Sequence, residues 1–73
     1  MKSNLHEGNR LTERQREVLT LLALGKKTRE VGHILNISTR TVQFHKYRIM
    51  EMLEAANFAD LIKYAVSNHL IDT

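Results

Sequence analysis

The sequence predicts a small all-α domain of four helices, and three observations predict it. Apolar residues recur at intervals of three and four, with none of the sustained period-two alternation that a strand needs. Proline is absent and aromatics make up 5% of the chain, so helices run uninterrupted and much of what strands favour is missing. Residues suited to starting and stopping helices punctuate the chain at helical lengths. With 73 residues there is room for one domain and one modest core.

Residues 1–10 are polar and aperiodic and read as a tail or the end of a linker, leaving 11–73 for the domain. Thr12 opens the first helix. Gln15 stands three positions on, the capping-box spacing in which each side chain satisfies the other's backbone amide. Val18, Leu19, Leu22 and Ala23 supply one apolar stripe, and Gly25 is suited to a left-handed C-terminal cap. A second, shorter helix is expected to start at a Thr28 cap, to bury Val31, Ile34 and Leu35, and to end at Asn36. Only Ile37 separates Asn36 from Ser38, the next cap. So short a turn makes the two helices cross steeply rather than lie antiparallel, which is a helix-turn-helix.

The third helix is predicted from Thr39 to Leu53 or Glu54. The fourth starts at an Asn57 cap, with Asp60 at its third position, and runs to about His69. It is expected to bury Phe58, Leu61, Ile62 and Ala65, with His69 at the margin. A second apolar strip of Ala59, Val66 and Leu70 remains on its flank, and reads either as a contact surface or as a wider core-facing stripe.

Several function classes recede at once. With no cysteine there is no disulfide framework, zinc ribbon or thiol chemistry. The four histidines (His6, His33, His45, His69) form no metal-ligand spacing, and neither a Gly-rich phosphate loop nor a persuasive Ser, His and Asp set is present. No enzyme, cofactor or metal is expected. No apolar run resembles a signal peptide or a membrane span, so the expectation is a soluble cytoplasmic protein.

Charge is distributed unevenly. Between Lys26 and Arg48 six basic residues (Lys26, Lys27, Arg29, Arg40, Lys46, Arg48) face one acid, Glu30, so this window is +5 while the whole chain is +3. A focused positive field of this kind captures polyanions. At about 100° per residue, Val42, His45, Ile49, Met52 and Leu53 fall on one side of the third helix, and Arg40, Gln43, Phe44, Tyr47 and Glu51 on the other. Two aromatics beside an arginine and a glutamine are unusual on a partnerless surface, yet suit the DNA major groove. Gln43 can pair with the N6 and N7 edge of adenine, Phe44 can press on a thymine methyl, and Tyr47 can reach a base edge or a phosphate. Arg40, Thr41, Lys46 and Arg48 lie where the duplex strands pass, and Thr28 and Arg29 sit at a helix start suited to another phosphate. The blander alternatives are that Phe44 and Tyr47 cover the core edge and that Gln43 is ordinary surface. His45 is then a packing residue, or else it reaches a phosphate from the groove edge.

The run Leu11-Thr12-Glu13-Arg14-Gln15-Arg16-Glu17-Val18-Leu19 resembles the opening of LuxR-type (GerE-type) helix-turn-helix domains. Gly25, Thr28-Arg29-Glu30-Val31, Leu35-Asn36-Ile37-Ser38, Thr41-Val42-Gln43-Phe44-His45 and Ile49 follow in matching order without a gap, and the resemblance extends from Leu11 to about Ile71. It implies a tri-helical core plus a fourth helix. It also implies a bacterial transcriptional regulator, such as the output domain of a two-component response regulator, binding inverted-repeat double-stranded DNA as a dimer. By position, Gln43, Phe44 and Tyr47 resemble base-reading residues. Thr28, Arg29, Arg40, Thr41 and His45 resemble backbone-holding ones. The resemblance further suggests a Glu17–Arg48 pair at the core margin. It assigns Ala59, Val66 and Leu70 to a weak two-fold interface that places two reading helices about one duplex turn apart.

The sequence departs from the family pattern at Gln43 and Met52, where lysine is usual, and at Gly32, where alanine is usual. The glycine should cost its helix about 1 kcal/mol relative to alanine. The start of the chain permits a free-standing domain and a fragment equally, and we read it as a fragment lacking a receiver domain. The rival reading is a helix-turn-helix used for protein contact, for example with RNA polymerase. RNA is a poorer partner because the deep, narrow A-form groove resists a helix.

Overall fold

Each helix forms where the local signals place it. The computed structural model describes residues 11–71 and contains α1 (Glu13–Ala23), α2 (Thr28–Leu35), α3 (Thr39–Leu53) and α4 (Phe58–Ser67), with no strand among the described residues. The assignment of residues 1–10 to a tail lies outside them.

Thr12 caps α1 reciprocally: the Gln15 amide donates to Thr12 Oγ1 at 3.0 Å, and the Thr12 amide donates to Gln15 Oε1 at 2.9 Å. Ser38 Oγ accepts from the Thr41 amide at 3.0 Å, and Asn57 Oδ1 from the Asp60 amide at 3.0 Å. Thr28 is not a cap. It is the first helical residue of α2, with Lys27 before it in extended conformation. Lysine has no acceptor to offer, so only half a capping box forms, the Lys27 amide donating to Glu30 Oε1 at 2.8 Å.

All four helices end alike. A left-handed residue follows the last turn (Gly25, Asn36, Glu54, His69). The next amide reaches back to the carbonyl five residues earlier: Lys26 to Leu21, Ile37 to Gly32, Ala55 to Met50, Leu70 to Ala65. This is the Schellman arrangement, and glycine suits it best. α4 therefore stops at Ser67, two residues short of the expected end, and His69, expected at the margin of the core, is exposed. Glu54 holds φ +55° without glycine's freedom. Glu54→Gly is expected to stabilise the domain by about 0.5–1 kcal/mol, read as a melting temperature several degrees higher. An unchanged or lower value would show that the glutamate side chain offsets the strain.

α1 is the centre of the molecule. Its Val18, Leu19 and Leu22 are buried against Val31 of α2, Val42 and Ile49 of α3, and Leu61 and Ala65 of α4, and Leu11 closes the same core. Two residues expected inside are outside: Ile34 is 51% exposed and Phe58 39%. In α2 the buried residues are Val31 and Gly32, with Leu35 half-buried, an arc that turns away from Ile34. Phe58 sits at the first position of α4, past the edge of the core.

Gly32 explains the displaced arc. A Cβ at this position would stand 2.7 Å from the Ile37 carbonyl oxygen, because the turn between α2 and α3 folds directly over it. The expectation that an alanine here would simply return helix propensity is corrected: the backbone of the turn occupies the space of the methyl group.

Candidate nucleic-acid interface

The interface is built on α3. Ser38 fixes its start with two contacts, the Thr41 amide donating to its hydroxyl and that hydroxyl donating to Thr41 Oγ1 at 2.9 Å. Val42 and Ile49 anchor the inner side in the core, both fully buried. With two anchors seven residues apart, about two turns, the opposite side of α3 faces solvent along its length.

That solvent side carries Arg40, Gln43, Phe44, Tyr47, Arg48 and Glu51, all exposed. Phe44 is 58% exposed and Tyr47 64%, so neither covers the core edge. Arg48 lies over Phe44 with its guanidinium 5.9 Å from the ring centroid, and the Phe44 and His45 rings meet edge-on at 5.9 Å. Arg48 therefore does not pair with Glu17. Glu17 instead meets Arg14 one turn earlier on α1, at 3.3 Å on the exposed side.

The cationic residues are placed around this strip by different elements. Arg29 is exposed and Thr28 half-buried in the first turn of α2. Lys46 is half-buried, its ammonium 5.6 Å from the Phe58 ring centroid. Such a contact contributes about 0.5–1 kcal/mol at a partly exposed site and limits where the ammonium points. The Lys46–Phe58 contact joins residues twelve apart in different helices, and nothing local in the sequence signals it. The Phe44–Arg48 contact, by contrast, was available from its four-residue spacing. His45 is half-buried, and its Nδ1 is buried with no hydrogen-bond partner among the described residues.

On α4, Ala59 is exposed and Val66 half-buried, whereas Leu70 lies beyond the end of the helix and packs against the domain's own core. The three do not form one open strip. A shallow groove runs along the second half of α3, lined by Phe44, Tyr47, Arg48, Glu51 and Glu54 among others. No described helix is long and apolar enough to cross a membrane.

Two helices joined by a three-residue turn, the second carrying an exposed aromatic and polar strip ringed by cations, define a helix-turn-helix domain of the DNA-binding class. The family model described as "Bacterial regulatory proteins, luxR family" (GerE) matches residues 9–65, and the chain belongs to this family. It is 42% identical over 53 residues to the tetrathionate response regulatory protein TtrR of Salmonella typhimurium, covering 73% of this chain and 26% of that protein. It is 36% identical over 66 residues to the uncharacterized response regulatory protein YgeK of Escherichia coli, covering 90% and 45%. It is 43% identical over 61 residues to the transcriptional activator protein SolR of Ralstonia solanacearum, covering 84% and 26%. The chain thus spans less than half the length of these relatives. No solved structure matches it. The family is one of bacterial regulatory proteins.

Proposed function

We propose that this chain is the DNA-reading output domain of a cytoplasmic bacterial response regulator and places α3 in the major groove of an inverted repeat. The observation that carries the reading is the exposure of Phe44 and Tyr47 beside Gln43, on a helix whose other side is locked into the core. Gln43 reads adenine through N6 and N7, Phe44 packs on a thymine methyl, and Tyr47 contacts a neighbouring base edge. Arg29, Arg40, Lys46 and Arg48 hold phosphates. Thr28 joins them from the first turn of α2, where free amides favour an anion. Thr41 and His45 contribute from the groove edge. Two copies meet weakly through Ala59 and Val66 of α4, and DNA holds the pair together. The chain acts by binding rather than by catalysis.

Selection of bound duplexes from a random-sequence pool, followed by fluorescence anisotropy at several salt concentrations, tests this reading. An inverted repeat is expected to emerge. Arg40→Ala should then weaken binding to all sequences alike and make the salt slope shallower by about one. If no motif emerges and binding disappears by physiological salt, groove reading is wrong.

A second reading has its own support. Ile34 and Leu24, 51% and 57% exposed, stand apart from the α3 strip and offer apolar contacts to a protein such as RNA polymerase. Ile34→Ser together with Leu24→Ser should leave DNA affinity unchanged and lower transcription in vitro if this surface is used. Unchanged transcription would remove it.

A further inference from the structure

We propose that Glu51 and Glu54 form an electrostatic stop that sets how far, and at what tilt, α3 enters the major groove, and that this raises discrimination between matched and unmatched duplexes. The inference rests on the groove-reading function above and adds residues to it.

Length supplies the first reason. The 15 residues of α3 span about 22 Å at about 1.5 Å per residue, whereas the groove is about 12 Å wide. A helix of this length that enters the groove with one end in contact with bases carries its other end out over a phosphate strand. Charge decides which end does so. The first two-thirds of α3 carries Arg40, Lys46 and Arg48, and the start of α2 adds Arg29. The last turn of α3 carries no basic residue. Glu51 and Glu54 are there instead, and the helix macrodipole adds partial negative charge at the same end.

Neither carboxylate is neutralised. No ion pair to Glu51 or Glu54 exists among the described residues, and Arg48, three positions before Glu51, lies over the Phe44 ring instead. Both glutamates are exposed and line the same shallow groove as Phe44 and Tyr47. At about 100° per residue Glu51 lies within about 20° of Phe44, so it points toward the duplex whenever Phe44 does.

Phosphates repel carboxylates strongly only within about a Debye length, roughly 8–10 Å at moderate salt. A pose with the first half of α3 seated deep and the far end lifted keeps the two acids clear. A pose with α3 laid along the backbone brings them against it. Such flat poses satisfy the cations without reading bases, and they populate non-specific complexes. The two glutamates thus act against the wrong complexes rather than for the right one.

The test compares the parent chain with the Glu51→Gln, Glu54→Gln double variant on the selected inverted repeat and on a scrambled duplex, by fluorescence anisotropy across a salt series. Glutamine keeps the chain length at both sites and removes only charge. Affinity for the scrambled duplex is expected to rise about ten-fold and that for the selected site only two- to three-fold or so, lowering the specificity ratio. Glu13→Gln with Glu17→Gln, the same charge change on α1, should raise both affinities by one common, smaller factor. A ratio that falls no further in the α3 variant than in the α1 variant would reduce the effect to net charge and overturn the proposal. A lost affinity for the selected site would overturn it differently, by making Glu51 a base contact of the kind that accepts from cytosine N4. In both cases the parent chain still selects a motif and the groove-reading function stands; if the parent selects none, that function fails first.

Discussion

Gly32→Val is expected to destabilise this domain by about 3 kcal/mol or more and leave much of it unfolded at room temperature. The Cβ alone would meet the Ile37 carbonyl oxygen at 2.7 Å, and valine adds two methyl groups to it. The obstacle is backbone, in the turn that sets α2 against α3, so it cannot rotate aside as a side chain would. Overpacking of this kind costs typically 1–3 kcal/mol when neighbours can yield, and more when they cannot. A domain this small has only about 3–5 kcal/mol to lose. Gly32→Ala is the informative companion. Helix propensity offers about 1 kcal/mol in its favour, and the same 2.7 Å approach opposes it, so no net gain is expected. Urea titrations followed by circular dichroism would check both. A valine variant as stable as the parent would show that the turn moves readily. Gly25 is a useful control: a Cβ there meets nothing within 4 Å, but φ is +96°, so substitution strains the backbone without a clash.

Gln43→Ala is expected to weaken binding to the selected site by about 10- to 100-fold while changing affinity for unrelated duplexes little. A bidentate amide–adenine pair discriminates by about 1–3 kcal/mol, and an exposed glutamine carries no charge for the phosphates. The effect should therefore appear in specificity and not in the salt slope. Gln43→Lys makes the assignment sharper, because lysine pairs with guanine O6 and N7. The preferred base pair at one position of each half-site should change from A·T to G·C, and selection from a random pool would show it. A general loss of affinity with unchanged preference would place Gln43 on the backbone, and no effect at all would return it to ordinary surface.

Much of this architecture was legible because the decisive interactions are local. Thr12 with Gln15, Ser38 with Thr41, and Asn57 with Asp60 are hydrogen-bonded pairs three residues apart, and a three-residue spacing is visible in any sequence. The separation of α3 into a buried side, with Val42 and Ile49, and an open side, with Gln43, Phe44 and Tyr47, follows from a 100° rotation per residue over four turns. The residues that depart from the pattern have a different character. Ile34 was expected in the core because it is apolar, yet α2 presents Gly32 there, and a glycine contact leaves no mark on a hydrophobic pattern. The Glu17–Arg48 pair gave way to two nearer partners, Arg14 and Phe44, each within one turn of its own helix. Residue type alone points to Thr28 as a cap, while the cap position falls to Lys27, whose amide Glu30 satisfies.

The sequence by itself determined four helices, the caps that start three of them, the helix-turn-helix between α2 and α3, and the strip of α3 turned toward solvent. Caps and helical rotation act within a few residues and need no tertiary partner. Only the tertiary structure decided which side of α2 faces inward, where Lys46 rests against Phe58, and that Leu70 folds onto its own core instead of extending α4. Those outcomes depend on how closely one backbone approaches another across the domain, a distance that the linear order of residues does not contain.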